Sequence, residues 1–164
     1  MLLIFMVFFA VRMWTTRDAI EGPAPPFEGF TVNGPYTSLA SQRGKPVLVH
    51  FWATWCPVCK AEQDSIESIA ADHQVITIAM KSGSPADVHK FLRDEGLTFP
   101  TLVDPDGTLA RQYGVNGVPS SFVIDAAGNI RFVEVGYSTE AGLRGRLWLA
   151  ESGEKPADGA PRAN

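Results

Sequence analysis

The pattern of hydrophobic and polar positions divides the chain into an apolar start, a patterned middle and a polar end. Residues 1–11 contain no polar side chain and, unlike a surface helix, show no amphipathic period. Residues 21–26 hold three prolines, and residues 151–164 are polar and rich in glycine and proline. The pattern between these ends predicts one domain in which strands and helices alternate.

The predicted strands of the middle region are of two kinds. Residues 46–52 and 75–80 are nearly continuous apolar runs, which are typical of strands buried on both faces of a sheet. Residues 120–125 and 130–135 flank an Ala-Gly-Asn turn and predict a β-hairpin. A short edge strand is expected over residues 30–32, before an Asn-Gly turn.

Four helical segments are predicted between and after these strands. They cover residues 57–73, 84–95, 108–113 and 139–150. The second is the best marked, because Ser84 can cap its start, a proline follows the cap and a glycine stands just past its end. The order β-α-β-α, β-hairpin, α predicts an α/β fold, a mixed β-sheet flanked by helices.

Composition and charge exclude several classes of protein. The chain has 164 residues, 45% of them hydrophobic, so it is long enough for one domain with its own core. A net charge of −4 without a basic block argues against nucleic acid as a partner. Two cysteines are too few for a disulfide-stapled mini-protein or for a four-cysteine zinc or iron–sulfur site.

The apolar start predicts a membrane anchor over residues 1–18. A helix of about fourteen residues spans about 21 Å, which is short of a hydrocarbon core of about 30 Å. The segment also lacks the positively charged start of a signal peptide, and a start site further upstream would explain both features. Trp14 and the neighbouring arginines suit a membrane–water interface. The alternative is a buried N-terminal helix of the domain.

The regions on either side of the domain are expected to pack little. Residues 19–26 are expected to form an extended, semi-rigid linker that holds the domain off the membrane. The domain is expected over residues 27–150. Residues 151–164 are expected to be a disordered tail.

The most informative segment is FWATWCPVCK, residues 51–60, which places Cys-x-x-Cys between a buried strand and a helix. Cys56 is expected at the helix N-cap and Pro57 at the first helical position. Unpaired amide N–H groups and the helix dipole favour a thiolate there, so the pKa of Cys56 should lie below the usual value of about 8.5. Cys59 lies one turn further, where it can resolve a mixed disulfide that Cys56 forms.

Two other uses of the cysteine pair stay open. A purely structural disulfide across so short a loop would contribute about 2 kcal/mol, at the low end of the usual range. A zinc half-site would need two more ligands, and His50, His73 and His89 lack paired-ligand spacing. Thiol–disulfide exchange uses only the two sulfur atoms, and for that chemistry we expect neither a metal nor an organic cofactor.

The segment FWATWCPVCK between strand and helix, followed by Gly117-Val118-Pro119 before another strand, resembles the thioredoxin superfamily. The apolar N-terminus and the additional helix over residues 84–95 make the chain more similar to the membrane-anchored, periplasmic TlpA/ResA/DsbE branch. The Cys-Pro-Val-Cys motif resembles the suppressor-of-copper-sensitivity D type of protein disulfide oxidoreductase. The resemblance covers residues 27–150 and implies a thioredoxin-like fold.

The resemblance also implies roles for residues around the cysteines. Cys56 matches the nucleophilic cysteine and Cys59 the resolving one. Pro119 matches the cis-proline that faces the disulfide in these folds. Such a bend would expose the Val118 backbone for strand-like pairing with a substrate peptide.

Other residues beside the cysteines have two interpretations each. Trp55 and Pro57 would lie at a substrate-facing rim and Trp52 in the core, whereas packing of both tryptophans in the core is the alternative. His50 stands six residues before Cys56, where thioredoxin has a buried aspartate. A neutral imidazole that relays protons and a hydrogen-bonded core histidine both stay open.

Glu62 is a candidate proton acceptor on the predicted helix over residues 57–73. Its spacing from Cys59, Ile66 and Ile69 places all four on the inner stripe of that helix. A carboxyl group buried there should have a raised pKa and could accept the proton of Cys59 during resolution. The alternative is a side chain that reaches out to solvent at the helix start.

The resemblance implies an enzyme, a protein disulfide oxidoreductase that exchanges its cysteine pair with cysteines of periplasmic partner proteins. A single-pass anchor would hold it in the inner membrane, where an electron-relay protein would serve it. The implied setting is cytochrome c maturation or copper and oxidative stress, with the direction of electron flow open. One alternative is a thioredoxin-like binding module for apocytochrome or Cu(I) without redox turnover. A thiol peroxidase is another, but Ala53 stands where its Thr-x-x-Cys spacing needs threonine.

Overall fold

The computed structural model of the chain describes residues 22–152. These residues form a six-stranded sheet, a two-stranded sheet and four α-helices. The strands are β1 (Gly22–Pro23), β2 (Glu28–Phe30), β3 (Tyr36–Ser38), β4 (Val47–Trp52), β5 (Gln74–Met80), β6 (Thr101–Asp104), β7 (Ser120–Ile124) and β8 (Asn129–Val135). The helices are α1 (Pro57–Ala70), α2 (Pro85–Glu95), α3 (Thr108–Gln112) and α4 (Glu140–Glu151), and a 3-10 turn covers Ala40–Gln42.

The larger sheet is mixed, with the strand order β1-β8-β7-β4-β5-β6. β4 lies near its centre, parallel to β5 on one side and antiparallel to β7 on the other. β5 and β6 are also parallel, and β7 and β8 form the predicted hairpin. The expectation of a mixed sheet flanked by helices is therefore confirmed.

All six residues of β4 are buried, because both faces of the sheet are covered. Leu48 and Trp52 pack on one face against residues of α1, α2 and α4. Val49 and Phe51 point to the opposite face and pack with α3 and the chain before β2. This double burial fixes the end of β4, from which the chain passes directly to the cysteines.

The helix ends follow their predicted signals with one exception. α2 has Ser84 as its cap, and the Ser84 hydroxyl and the Asp87 carboxylate form a reciprocal capping box. α2 is followed by Gly96 in the left-handed conformation, with φ of 70°. α1 ends at Ala70, three residues before the predicted end, because the chain must turn before β5 begins at Gln74.

Several short strands were not predicted, and part of the expected linker packs against the domain. β6 and β3 are only 4 and 3 residues long. β6 is defined by pairing with β5, 24 positions away, and β3 by pairing with the short strand β2 just before it. The predicted edge strand over 30–32 lies two residues earlier, as β2. Residues 22–26 lie on the domain, since β1 pairs with β8 and the Tyr113 hydroxyl donates a hydrogen bond to the Pro25 carbonyl at 2.8 Å.

The expected anchor over residues 1–18 lies outside the described residues, as does the expected tail from residue 153 onward. Residues 151 and 152 complete the end of α4. Between residues 22 and 152, no helix combines the length and the apolar character needed to cross a membrane.

Candidate active site

The two cysteines lie at the junction of β4 and α1. Cys56 is the N-cap residue of α1, with extended backbone angles, and Pro57 takes the first helical position, as predicted. Cys56 and Cys59 are joined in a disulfide, with their Cα atoms 5.3 Å apart. The backbone N–H of Cys59 donates a hydrogen bond to the Sγ atom of Cys56 at 3.1 Å. The same amide would stabilise a thiolate on Cys56 in the reduced protein.

A second loop closes over the disulfide from the side of β7. The peptide bond between Val118 and Pro119 is cis, as predicted. The carbonyl oxygen of Val118 lies 3.6 Å from Cys56 Sγ. The loop is held in place by a hydrogen bond of 2.7 Å that the Ser120 hydroxyl donates to the Gly117 carbonyl. A backbone carbonyl and a backbone amide thus converge on the sulfur of Cys56.

Glu62 is completely buried on the inner stripe of α1, together with Cys59, Ile66 and Ile69. This placement confirms the predicted stripe and excludes a side chain that reaches solvent. Neither carboxylate oxygen has a hydrogen-bond partner of normal geometry among the described residues. Burial raises the pKa of Glu62 to about 7, an effect that the nearby Ser138 amide partly opposes. Glu62 can therefore hold or release a proton near neutral pH.

A third loop, residues 136–138 between β8 and α4, completes the surroundings of the disulfide. The N–H of Gly136 donates a hydrogen bond to the Pro119 carbonyl at 2.9 Å. Ser138 is buried, and its backbone amide faces Glu62. Sequence reasoning missed this loop. The available signal was a Gly-Tyr-Ser segment directly before Thr139, the cap of α4.

The two tryptophans have the separate places that the sequence suggested. Trp52 is buried, and its indole N–H donates a hydrogen bond to the Thr77 hydroxyl at 3.1 Å. Trp55 is 60% exposed, and its indole N–H donates to the Lys81 carbonyl at 2.9 Å. Trp52 therefore belongs to the core, and Trp55 lies on the rim beside the cysteines.

His50 and Lys60 lie close to the cysteines in sequence and have structural contacts of their own. His50 is buried and its Nδ1 atom lies 2.9 Å from the Ser121 hydroxyl, which confirms the hydrogen-bonded core histidine. Burial lowers the pKa of His50 to about 3, so the imidazole is neutral at physiological pH. The Lys60 ammonium forms an ion pair of 2.7 Å with Glu95 on α2.

The arrangement suits thiol–disulfide exchange more than metal binding. The site has one cysteine at a helix N-terminus, a second cysteine one turn away and a titratable carboxyl group on the same helix stripe. Residues 22–152 contain no group of three histidine, cysteine, aspartate or glutamate side chains placed to hold a metal ion. The chemistry available here requires only the two sulfur atoms and a proton acceptor.

Comparison with known proteins gives the same assignment for fold and chemistry. The model of the AhpC/TSA family matches residues 20–133. A curated relative from Geobacillus thermodenitrificans, the thiol-disulfide oxidoreductase ResA, is 32% identical over 80% of this chain and 78% of its own length. The thiol:disulfide interchange protein DsbE of Escherichia coli (strain K12) is 30% identical over 92% of this chain and 88% of its own.

Solved structures agree with these relatives. The crystal structure of a thiol:disulfide interchange protein of the thioredoxin family from Chlorobium tepidum has a TM-score of 0.68 and 33% sequence identity. The match covers 81% of this chain and 98% of that one. The fold is therefore thioredoxin-like, a mixed sheet flanked by helices.

Proposed function

We propose that this chain, which belongs to the AhpC/TSA family and is a thiol–disulfide oxidoreductase of the type that includes DsbE and ResA, exchanges its Cys56–Cys59 disulfide with cysteines of partner proteins. The proposal rests above all on the two backbone groups that lie next to Cys56 Sγ. The Cys59 amide at 3.1 Å and the Val118 carbonyl at 3.6 Å fix this sulfur at the start of α1.

In the reducing direction, the Cys56 thiolate attacks one sulfur of a partner disulfide. A mixed disulfide forms, and the other partner sulfur leaves as a thiolate. The Cys59 thiol then gives its proton to Glu62 and attacks Cys56 Sγ. The partner leaves with both sulfurs reduced. The two electrons that it has gained come from the Cys56 and Cys59 thiols, which are oxidised to the Cys56–Cys59 disulfide. The oxidising direction is the reverse of these steps.

We assign proton transfer to Glu62 because it is the buried carboxyl on the stripe of Cys59. A group with a pKa of about 7 changes protonation state readily at physiological pH. Its buried oxygens lack normal hydrogen-bond partners, so uptake of a proton would remove a poorly solvated negative charge. His50 is less suited, since its pKa of about 3 leaves it without affinity for a proton at neutral pH.

The substrate groove is proposed to lie between two rims. Trp55 and Pro57 belong to the rim at the cysteines, and Val118 and Pro119 to the opposite loop. Val118 presents its backbone next to Cys56, where an extended peptide can pair with it as an added strand.

The cellular setting is proposed from the apolar N-terminus. Residues 1–18 would anchor the chain in the inner membrane, with the domain of residues 27–150 in the periplasm and an electron-relay protein of the membrane as its redox partner. Partner proteins with exposed cysteines, in cytochrome c maturation or in copper and oxidative stress, would be its substrates. Cell fractionation tests the anchor. The full chain should sediment with membranes and resist extraction by alkaline carbonate, whereas a variant lacking residues 1–11 should be released into the soluble fraction. Release of both chains would contradict the anchor.

Trapping with cysteine variants tests the exchange itself. The full chain, reduced and mixed with a peptide disulfide, should complete exchange and become oxidised. Cys59→Ser should stop at a covalent 1:1 mixed disulfide visible by mass spectrometry, because the resolving sulfur is absent. Cys56→Ser should form no such adduct, because the helix-start amide that would stabilise a thiolate is directed at the sulfur of Cys56. Equal adduct formation by both variants would contradict the assignment of the nucleophile.

A further inference from the structure

Exposed apolar side chains are concentrated around the disulfide. Among residues 22–152, six large hydrophobic side chains are strongly exposed, and three of them belong to segments that surround the cysteines. Trp55 and Val58 belong to residues 51–60, the segment that carries the cysteines, and are 60% and 42% exposed. Tyr137, with 57% exposure, lies on the 136–138 loop. Exposed aromatic rings next to a reactive centre are typical of residues that contact a partner.

The backbone on both sides of Tyr137 is fixed. Gly136 is bound to the Pro119 carbonyl by a hydrogen bond of 2.9 Å, and its φ of 87° is readily adopted only by glycine. Ser138 is buried with its amide facing Glu62. The Thr139 hydroxyl then accepts a hydrogen bond of 3.2 Å from the Gly142 amide and caps α4. Tyr137 is therefore presented to solvent by a loop that is held at each neighbouring residue.

The same contacts place the 136–138 loop against the side of the site that carries the cis-proline. Pro119 accepts the Gly136 hydrogen bond, and Val118 next to it faces Cys56 Sγ at 3.6 Å. A peptide that pairs with the Val118 backbone would therefore lie beside a segment that is hydrogen-bonded to this loop. Because the backbone on both sides of Tyr137 is already fixed, contact with a partner costs little backbone entropy at this residue. Its ring offers a large apolar surface for that contact.

We propose that Tyr137 is a specificity-determining residue for disulfide exchange. Its ring favours partner cysteines that are flanked by an aromatic or aliphatic side chain. The proposal rests on the exchange reaction proposed above and adds the substrate class that the site prefers. The partner's flanking side chain packs on the Tyr137 ring while its cysteine reacts with Cys56. Within residues 51–60, the segment that carries the cysteines, the only charged residue is Lys60, and its ammonium pairs with Glu95 at 2.7 Å.

Two peptides test this selectivity. Each carries one cysteine as a mixed disulfide with glutathione, and they differ only in a phenylalanine or a serine beside the cysteine. The reduced full chain is mixed with each peptide, and the second-order rate constants are divided by those of dithiothreitol with the same peptide. The chain is expected to prefer the phenylalanine peptide by about fivefold, the size of one aromatic contact.

Variants then assign the preference to the ring of Tyr137. Tyr137→Ser should bring the ratio close to one, whereas Tyr137→Phe should keep it, because the ring remains. Tyr36→Ser is the matched control, since Tyr36 is 50% exposed on β3 of the separate two-stranded sheet, and it should keep the ratio.

The outcomes separate this inference from the proposed function. A chain that exchanges with both peptides equally, or a Tyr137→Ser variant that slows both equally, would overturn the selectivity and leave the exchange reaction standing. A wild-type chain that exchanges with neither peptide would overturn the exchange reaction itself.

Discussion

The backbone N–H of Cys59 donates a hydrogen bond to Cys56 Sγ at 3.1 Å, so the first turn of α1 is directed at the sulfur that is expected to react. This contact follows from the position of Cys56 as N-cap and of Pro57 as the first helical residue. Each helix start has amide N–H groups without partners inside the helix, and here one of them meets a sulfur. The expected reactivity of Cys56 therefore follows from its position at the start of the helix.

The first prediction concerns the pKa of Cys56. In the reduced chain, the thiol of Cys56 should titrate below the usual cysteine value of about 8.5, because the helix start stabilises the thiolate. Thiolate absorbance at 240 nm, followed against pH in Cys59→Ser, measures this pKa directly. Denatured Cys59→Ser is the control. An equal pKa in the folded and the denatured variant would contradict the proposed activation.

The second prediction concerns Glu62 as proton acceptor. Glu62→Gln should slow the resolution of the mixed disulfide by about 100-fold, and it should affect the first attack by Cys56 less. In the wild-type chain, resolution should accelerate as pH rises through about 7, since only the carboxylate can accept the proton. Rapid-quench mass spectrometry separates the two steps.

Asp64→Asn is the control for this kinetic experiment, because Asp64 lies on the exposed face of α1. It should leave both steps unchanged. If Glu62→Gln slowed both steps equally, the role in resolution would have to be abandoned.

The third prediction uses the pH dependence of folding. The raised pKa of Glu62 means that the folded state holds this proton more tightly than the unfolded state. The free energy of unfolding of the oxidised chain should therefore fall as pH rises from 4.5 to about 7. Above that range, the total loss of stability is about 3 kcal/mol. Glu62→Gln lacks this titration, so its stability relative to wild type should increase by that amount between pH 4 and pH 8 in urea unfolding. A constant difference would show that Glu62 titrates alike in both states.

The fourth prediction concerns the support of Trp52 beneath the site. The Thr77 hydroxyl accepts the Trp52 indole N–H and lies 2.8 Å from the Thr101 hydroxyl. Thr77→Val should cost about 2 kcal/mol in the free energy of unfolding, because it leaves a buried N–H without an acceptor. Thr108→Val, at an exposed position on α3, should change stability by less than about 0.5 kcal/mol. If the two variants lost equal stability in urea unfolding, the hydrogen bond from Trp52 to Thr77 would not stabilise the fold.

The parts of the site that depend on local sequence could be predicted. The start of α1 at Cys56 follows from the strand–proline order, and the burial of Glu62 follows from its helical spacing with Cys59. The cis peptide bond before Pro119 could be predicted only from a family resemblance, because an X-Pro bond is more often trans.

The parts that depend on distant contacts could not. The 136–138 loop belongs to the site because Gly136 binds Pro119 and because Ser138 faces Glu62, 76 positions away in the chain. β6 was missed for the same reason, since its four residues are a strand only through pairing with β5. A pattern along one segment carries no information about which remote segment will meet it.

The reduction potential of the Cys56–Cys59 pair is the most direct test of disulfide exchange by this chain. The reduced and oxidised chain should be equilibrated against glutathione or dithiothreitol, with Cys56→Ser as the control that has no couple. The cysteine pair should show one reversible two-electron transition. A potential near or below about −270 mV would mark a reductant that needs electrons delivered to it, and one near about −120 mV an oxidant. A pair that does not interconvert reversibly would contradict the account and favour a binding module.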